Sequence, residues 1–219
     1  MKVSAAIAEV LCREGVEILI GYPVNPMIDP AAAAGIRTLI VRTERTGIHM
    51  ADAMSRVTSG RTIGVFACQS GPGTENSFGG VAQAYADSVP VFIQAAGHDR
   101  TLASVPPNFN AFVNFRNITK WIEQVNVASE IPHVMHRAFS QLRNGRPRPV
   151  LVEVPWDVYD EEIGEIGAYT PSVRVKSAPD PSGVRAVARV LAAAERPVIY
   201  AGQGVHYAEA WPQLREVAE

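Results

Sequence analysis

The sequence predicts an α/β protein in which helices flank both faces of a parallel sheet. Short apolar runs alternate with longer stretches whose apolar residues recur at helical spacing. Strands that alternate with helices form parallel sheets, because a helical crossover joins each strand to the next. The composition agrees with this class, since 47% of the 219 residues are hydrophobic and 19% are charged.

A first domain is predicted to span residues 1–158. Its first helix is followed by Gly15, which suits the carboxyl end of a helix. Ser129 is the expected N-cap of its last long helix. Helices are predicted at 3–14, 29–34, 47–59, 74–86 and 129–143, and strands at 16–20, 38–41, 62–67, 91–96, 121–127 and 149–155. Between the fourth and fifth strands, residues 98–115 form a long proline-bearing loop, and such loops are usually functional or mobile.

The remainder of the chain is predicted to contain a linker at 159–181 and the start of a second α/β domain at 182–219. In this second part we expect a helix at 182–195, a strand at 196–201, a turn at 202–204 and a helix at 207–219. One helix–strand–helix unit cannot bury a core alone. The second domain is therefore expected to be incomplete.

Charge and cysteine content exclude several classes of protein. A net charge of -2 argues against nucleic-acid or anionic-membrane surfaces, and no apolar run reaches the ~20 residues of a membrane helix. The amino terminus does not have the pattern of a signal peptide. Cys12 and Cys68 are interpreted as small core residues rather than a disulfide, and a reducing cytoplasm is expected.

One carboxylate, Glu44, stands where a predicted strand ends and a helix begins. Two other strand ends carry Tyr22-Pro23 and the glycine-rich turn Ser70-Gly71-Pro72-Gly73. In a parallel sheet all of these ends lie at the edge where ligands bind. Alone, Glu44 would also suit a simple charge at a helix N-terminus. A P-loop is disfavoured, because no lysine follows Gly73.

Five motifs in this order resemble the N-terminal pyrimidine-binding domain of thiamine-diphosphate enzymes, closest to the acetolactate synthase branch. The resemblance covers about residues 3–158, and a weaker one to the central domain follows. The motifs are Gly21-Tyr22-Pro23, Arg42-Thr43-Glu44, His49-Met50-Ala51-Asp52, Ser70-Gly71-Pro72-Gly73-Thr74-Glu75-Asn76 and Ala84-Tyr85-Ala86-Asp87-Ser88-Val89-Pro90.

The resemblance implies that Glu44 hydrogen-bonds N1′ of the cofactor's aminopyrimidine and thereby promotes formation of the thiazolium ylide, which attacks a 2-oxo acid. It also implies that the pyrimidine pocket is walled by Ser70, Gly71, Pro72 and Asn76, with Pro23 and Val24 opposite.

The resemblance further implies that a different domain holds the diphosphate and its Mg²⁺. That domain carries a Gly-Asp-Gly motif, which is absent here, so no metal-binding residue is assigned. The chain alone is expected to be inactive. It would complete its site in a homodimer or tetramer, or with a partner subunit that binds the diphosphate. FAD is a possible further cofactor, with Arg146 at a flavin-contacting position, and His98 is the candidate substrate contact.

Two departures from acetolactate synthase bear on the reaction, and one departure from the pyruvate-decarboxylase type disfavours that subgroup. A Phe-Gln-Glu run of that family is replaced by Pro106, Pro107 and Asn108, which argues against acetolactate formation. His98-Asp99 replaces the paired histidines of the pyruvate-decarboxylase type, and Arg148 stands where glycine is usual. Decarboxylation and carboligation therefore both stay open. The alternatives are a separate subunit of a split 2-oxo acid decarboxylase and a non-catalytic interaction relic of the same fold.

Overall fold

The computed structural model describes residues 1–219 and divides the chain into two units, Met1–Val173 and Arg174–Glu219. The first unit contains a sheet of six strands that are all parallel. Its strands are β1 (Ile18–Gly21), β2 (Arg37–Ile40), β3 (Gly64–Cys68), β4 (Val91–Gly97), β5 (Trp121–Gln124) and β6 (Val150–Pro155). Their spatial order is β2-β1-β3-β4-β6-β5. The predicted parallel α/β fold is confirmed.

Two groups of helices cover the two faces of this sheet. The helices are α1 (Val3–Arg13), α2 (Ile28–Ala33), α3 (Glu44–Val57), α4 (Pro72–Ala86), α5 (Ala111–Asn114), α6 (Ile131–Arg143) and α7 (Trp156–Tyr159). Successive residues of β4 point to opposite faces, so Phe92 packs in the core beneath α1 and α6, whereas Ile93 packs beneath α3 and α4. Apolar side chains make up most of both cores, and the buried polar residues Gln94 and Glu153 are exceptions.

The starts of α3 and α6 differ from the sequence prediction for reasons that the local structure shows, and α4 begins at Pro72 rather than at residue 74. Helix α3 begins at Glu44 rather than at residue 47, because Thr43 is its N-cap and accepts a hydrogen bond from the Thr46 amide at 3.2 Å. The prediction that Ser129 caps α6 is wrong. A 3-10 helix spans Ala128–Glu130, and α6 begins at Ile131, with proline in its first turn.

The two cysteines lie in different environments. Cys68 is buried at the end of β3, as expected, and burial raises the pKa of its thiol to about 12. The prediction that Cys12 is a core residue is wrong, because Cys12 lies on the solvent-facing side of α1. Small residues recur around much of α1, so the sequence pattern does not show clearly which side of this helix faces solvent.

The segment that follows α7 packs on the first unit as far as Val173. Tyr169 and the Ser172 amide both donate hydrogen bonds to the Glu14 carboxylate, the latter at 3.1 Å. Arg143 forms an ion pair with Glu14 and donates to the Ser172 carbonyl at 2.9 Å. Part of the segment predicted as a linker is therefore fixed by a buried polar cluster.

The second unit contains three helices, α8 (Pro181–Ala193), α9 (Gln203–Ala208) and α10 (Trp211–Ala218). The strand predicted at 196–201 is not formed, since no neighbouring strand pairs with it, and Val198 and Tyr200 are almost fully exposed. The helix predicted at 207–219 is interrupted by Glu209, whose φ is 54°. Across both units, no helix combines the length and apolar character needed to cross a membrane.

Candidate functional site

The carboxyl ends of neighbouring strands bring the predicted site residues to one edge of the sheet. Pro23 and Val24 follow β1, Glu44 follows β2, the Ser70–Pro72 turn follows β3, and His98 follows β4. Because β2, β1, β3 and β4 are consecutive and parallel, these four connections share an edge. The edge predicted from sequence is therefore present in the fold.

Glu44 is the buried acid at this edge, with 4% of its surface exposed. It is the first residue of α3, where the free backbone N–H groups of the helix favour a negative charge. Its Oε2 atom accepts a hydrogen bond from Asn76 Nδ2 at 3.3 Å. Its other oxygen, Oε1, faces Gly73, where an added Cβ would lie 3.5 Å away. One carboxylate oxygen is thus held by the protein and the other faces the glycine turn.

The glycine turn approaches its neighbours too closely for side chains. Gly71 has a φ of 60°, a conformation that residues with a Cβ rarely adopt. At Gly73 a Cβ would lie only 2.6 Å from Gln69 Cγ. Thr74 then fixes the turn by donating from Oγ1 to the Gln69 carbonyl at 2.9 Å. The turn leads into α4, with Pro72 as its first residue and Asn76 one turn further along.

His98 approaches the glycine turn from β4. Its Nε2 atom would lie 3.7 Å from a Cβ placed on Gly71. The same atom is buried and has no hydrogen-bond partner in the protein. A buried imidazole nitrogen without a partner is costly unless a ligand or water meets it. The structure therefore brings His98, Gly71 and Glu44 around one region of the edge.

The connection after β1 adds a residue that the sequence analysis did not select. Asn25 Oδ1 accepts a hydrogen bond from the Met27 amide at 2.8 Å, whereas its Nδ2 is buried without a partner. Beside it, Val24 is 67% exposed and has a φ of 64°, which is unusual for a β-branched residue. A polar residue directly after the Pro-Val pair was the available signal in the sequence.

Arg146 lies away from this region. Its Nε donates to Ser88 Oγ at 2.8 Å, and Ser88 precedes the amino-terminal end of β4. Arg148, the replacement for the usual glycine, stacks on Tyr85 with 3.9 Å between the guanidinium carbon and the ring centroid. Arg146, the residue that the resemblance places at a flavin contact, is therefore at the opposite edge of the sheet from Glu44.

A second buried acid, Glu153 on β6, was also missed by the sequence analysis. Only 3% of it is exposed, and burial raises the pKa of its carboxyl to about 7. Its signal was a single charged residue inside the apolar run Val150-Leu151-Val152-Glu153-Val154. His133 and His136, which both lie on α6, belong to no group of three or more side chains that could hold a metal.

Residues 1–127 match the family described as "Thiamine pyrophosphate enzyme, N-terminal TPP binding domain". A probable acetolactate synthase large subunit of Methanocaldococcus jannaschii is 36% identical over 100% of this chain and 39% of its own length. The acetolactate synthase isozyme 3 large subunit of Escherichia coli K12 is 31% identical over 95% of this chain and 38% of its own length.

A glyoxylate carboligase of Escherichia coli O157:H7 is also similar, with 33% identity over 100% of this chain and 38% of that enzyme. The chain therefore spans less than two fifths of the length of these relatives. The matched family covers more than half of the chain, including β1 to β5 and the whole edge that carries Glu44. The chain belongs to the thiamine pyrophosphate enzymes and contains their N-terminal cofactor-binding domain.

Proposed function

We propose that this chain is the N-terminal part of a thiamine-diphosphate-dependent enzyme that decarboxylates or carboligates a 2-oxo acid, with Glu44 activating the aminopyrimidine of the cofactor. The observation that carries the proposal is the Glu44 carboxylate, which is buried at the ligand-binding edge with one oxygen facing Gly73. The similarity to acetolactate synthases and a glyoxylate carboligase supports the same class of reaction.

The residues around Glu44 fit the pyrimidine ring of thiamine diphosphate. Ring recognition requires a backbone that approaches closely, and Gly71 and Gly73 supply one. Ser70, Pro72 and Asn76 would complete that wall, and Pro23 and Val24 would face it from the end of β1. Bound there, the cofactor supplies the carbanion chemistry that no amino-acid side chain provides.

Glu44 would hold a proton between its free oxygen and a ring nitrogen of the pyrimidine. Asn76 fixes the other oxygen, so that the carboxyl group is oriented before the ring binds. Burial excludes the water that would otherwise compete for this hydrogen bond. A positioned acid–base group of this kind contributes about 10²–10⁴-fold to a rate.

His98 would contact the substrate from the end of β4. Its buried Nε2 has no partner in the protein, and an imidazole nitrogen can donate to or accept from the oxygens of a 2-oxo acid. Because Pro106, Pro107 and Asn108 lie in the connection that His98 opens, the replacement of the Phe-Gln-Glu run falls in the same segment.

The remainder of the site would come from outside these residues. A diphosphate-binding domain would supply the Mg²⁺ site, either in a longer form of the same protein assembled as a homodimer or tetramer, or in a partner subunit. FAD, if bound, would contact Arg146 at the opposite edge of the sheet. A cytoplasmic location is part of the proposal, and the two free cysteines, Cys12 and Cys68, are compatible with a reducing compartment.

The test is to read the coding DNA on both sides of these 219 codons, express the complete protein and measure CO₂ release from pyruvate and glyoxylate. Glu44→Gln should lower turnover about 10²-fold or more while leaving the fold intact. Glu75→Gln, an exposed acid on the first turn of α4, is the matched control and should retain wild-type turnover. Full turnover in Glu44→Gln would show that Glu44 takes no part in the reaction.

Two alternatives remain, because no Gly-Asp-Gly sequence is present in the chain. A split decarboxylase subunit would bind thiamine diphosphate only when mixed with a diphosphate-binding partner. A non-catalytic relic would bind neither cofactor nor partner. Titration calorimetry of the chain with cofactor, magnesium and the candidate partner separates these outcomes.

A further inference from the structure

Strand β6 carries a buried acid, Glu153, within a run that is otherwise apolar. Glu153 shares its face of the sheet with Leu151, in the core beneath α3 and α4. Its neighbours in register are Ala95 on β4 and Gln124 on β5. Strands therefore flank the carboxyl on both sides within the sheet. Water can reach it only if the segment that covers this face of the sheet moves away.

The cover over this carboxyl is residues 98–114, the part of the link between β4 and β5 that ends with α5 and is called here the 98–114 connection. Backbone N–H groups of Ala111 and Phe112, at the start of α5, face the Glu153 carboxyl, and Gln124 Nε2 donates to its Oε2 at 3.1 Å. At the beginning of the connection, a Cβ on Gly97 would lie 3.1 Å from Glu153 Cγ and 3.3 Å from Oε1. Both ends of the 98–114 connection thus meet one side chain.

The donors that meet Glu153 are all neutral. The titratable groups that interact with it are Cys68 on β3 and Tyr159 on α7; β4, β5 and α5 present only Ala95, Gly97, Gln124 and backbone amides. Burial raises the pKa of both the Cys68 thiol and the Tyr159 hydroxyl, so both are uncharged at neutral pH. The charge on Glu153 is consequently not balanced by any cation among its contacts.

We propose that Glu153 is a proton-linked positioning residue for the 98–114 connection. With the carboxyl protonated, the connection stays closed over the sheet. Ionisation favours opening at α5, because only an open connection lets water reach the negative charge. The direction agrees with the cause of the raised pKa of Glu153, which is first of all its removal from water.

This inference rests on the proposed function where it concerns the site. His98 is the first residue of the connection, directly after Gly97, and its Nε2 faces Gly71. A change at Glu153 would therefore reach the substrate side of the site through the residue next to Gly97. Glu153 itself acts only through the connection, as a positioning residue.

The test is hydrogen–deuterium exchange of the full chain from pH 5.5 to 8, followed by mass spectrometry of peptides covering 109–114. After division by intrinsic rates, exchange at Ala111 and Phe112 should rise roughly 25-fold over this range, if an open carboxyl titrates at 4.5 and a closed one at about 7. In Glu153→Gln, which is neutral at every pH, the rise should be less than about twofold.

Glu123→Gln is the matched control, because Glu123 precedes Gln124 on β5 and therefore points to the other face of the sheet. It should behave as the wild type does. A flat profile in the wild type, or an equal rise in Glu153→Gln, would overturn the proposal. If Glu153→Gln does not fold, ¹³C NMR titration of the Glu153 carboxyl in the wild type tests the proposal instead. A titration midpoint below pH 5.5 would refute the proposal.

None of these measurements uses cofactor or substrate. A negative exchange result for Glu153 therefore does not affect the proposed role of Glu44. Inactivity of the complete enzyme likewise does not affect the exchange result. Once activity is measured, Glu153→Gln should alter the pH profile of KM rather than abolish turnover. Loss of kcat at every pH with no change in the profile would indicate a purely structural role.

Discussion

Replacing Arg143 by methionine should destabilise the first unit strongly, because it isolates a buried negative charge. The Glu14 side chain is fully buried, and Arg143 is its ion-pair partner, with 16% of the arginine side chain exposed. Arg143 also donates to the Glu14 carbonyl at 2.8 Å and to the Ser172 carbonyl at 2.9 Å. Methionine keeps part of the packing on Phe139 but supplies none of these donors.

The expected loss follows from the difference between buried and exposed pairs. Removing one partner of a buried ion pair typically costs about 3–5 kcal/mol, because the other charge stays buried and unpaired. An exposed pair contributes only about 0–1 kcal/mol. Since a domain has a total stability of about 5–15 kcal/mol, Arg143→Met should move the urea midpoint far to lower concentration.

Urea unfolding followed by far-UV circular dichroism measures this loss. Lys2→Met is the matched control, because the Lys2–Asp160 pair also joins α1 to the segment after α7 but is exposed on both sides. The double variant Glu14→Gln/Arg143→Met should recover part of the stability, since it removes the unpaired charge. If Arg143→Met costs no more than Lys2→Met, the cluster does not hold the segment.

Three further outcomes are expected. Iodoacetamide should alkylate Cys12 in the native chain and Cys68 only after unfolding, because Cys68 is buried and its pKa is raised to about 12; mass spectrometry of the labelled peptides measures this. The folded chain binds a proton at Glu153 more tightly than the unfolded chain, because burial raises the pKa of this carboxyl from 4.5 to about 7. The free energy of unfolding should therefore fall by roughly 3 kcal/mol as the pH rises between these two values. Denaturant titrations of Glu153→Gln should not show this fall. Val24→Gly should raise the melting temperature by relieving about 1 kcal/mol of strain at a positive φ, and an unchanged or lower temperature would contradict this.

Hydrophobic periodicity predicted most of the first unit correctly, because the central strands of its sheet are buried. The runs that became β3, β4 and β6 are apolar except for Gln94 and Glu153, and near-continuous apolar runs are typical of strands in a parallel sheet. The residues 196–201 have the same character, yet they form no strand. Strand formation depends on a neighbour with which to pair, and this information is not contained in the run itself.

The site could be predicted in part for a similar reason. Glu44 and the Ser70–Gly73 turn were found from order along the chain, because strand ends in a parallel sheet must share an edge. The N-cap at Thr43 was readable from its spacing to Thr46, but was not used. The unpartnered Nε2 of His98 could not be predicted, since it depends on the three-dimensional packing of the connection against Gly71.

Two buried acids near the same edge of the sheet have opposite surroundings, and this difference separates their proposed roles. Glu44 begins a fourteen-residue helix and has one oxygen held by Asn76, so that the other is available to a ligand. Glu153 lies within a strand and uses its carboxyl on Gln124 and on two backbone amides of α5. An acid whose contacts are completed by its own chain can control only that chain, whereas an acid with an open oxygen can act on a bound molecule. A substitution at Glu44 should therefore change the rate of the reaction. A substitution at Glu153 should instead change how often the 98–114 connection, which carries His98, opens.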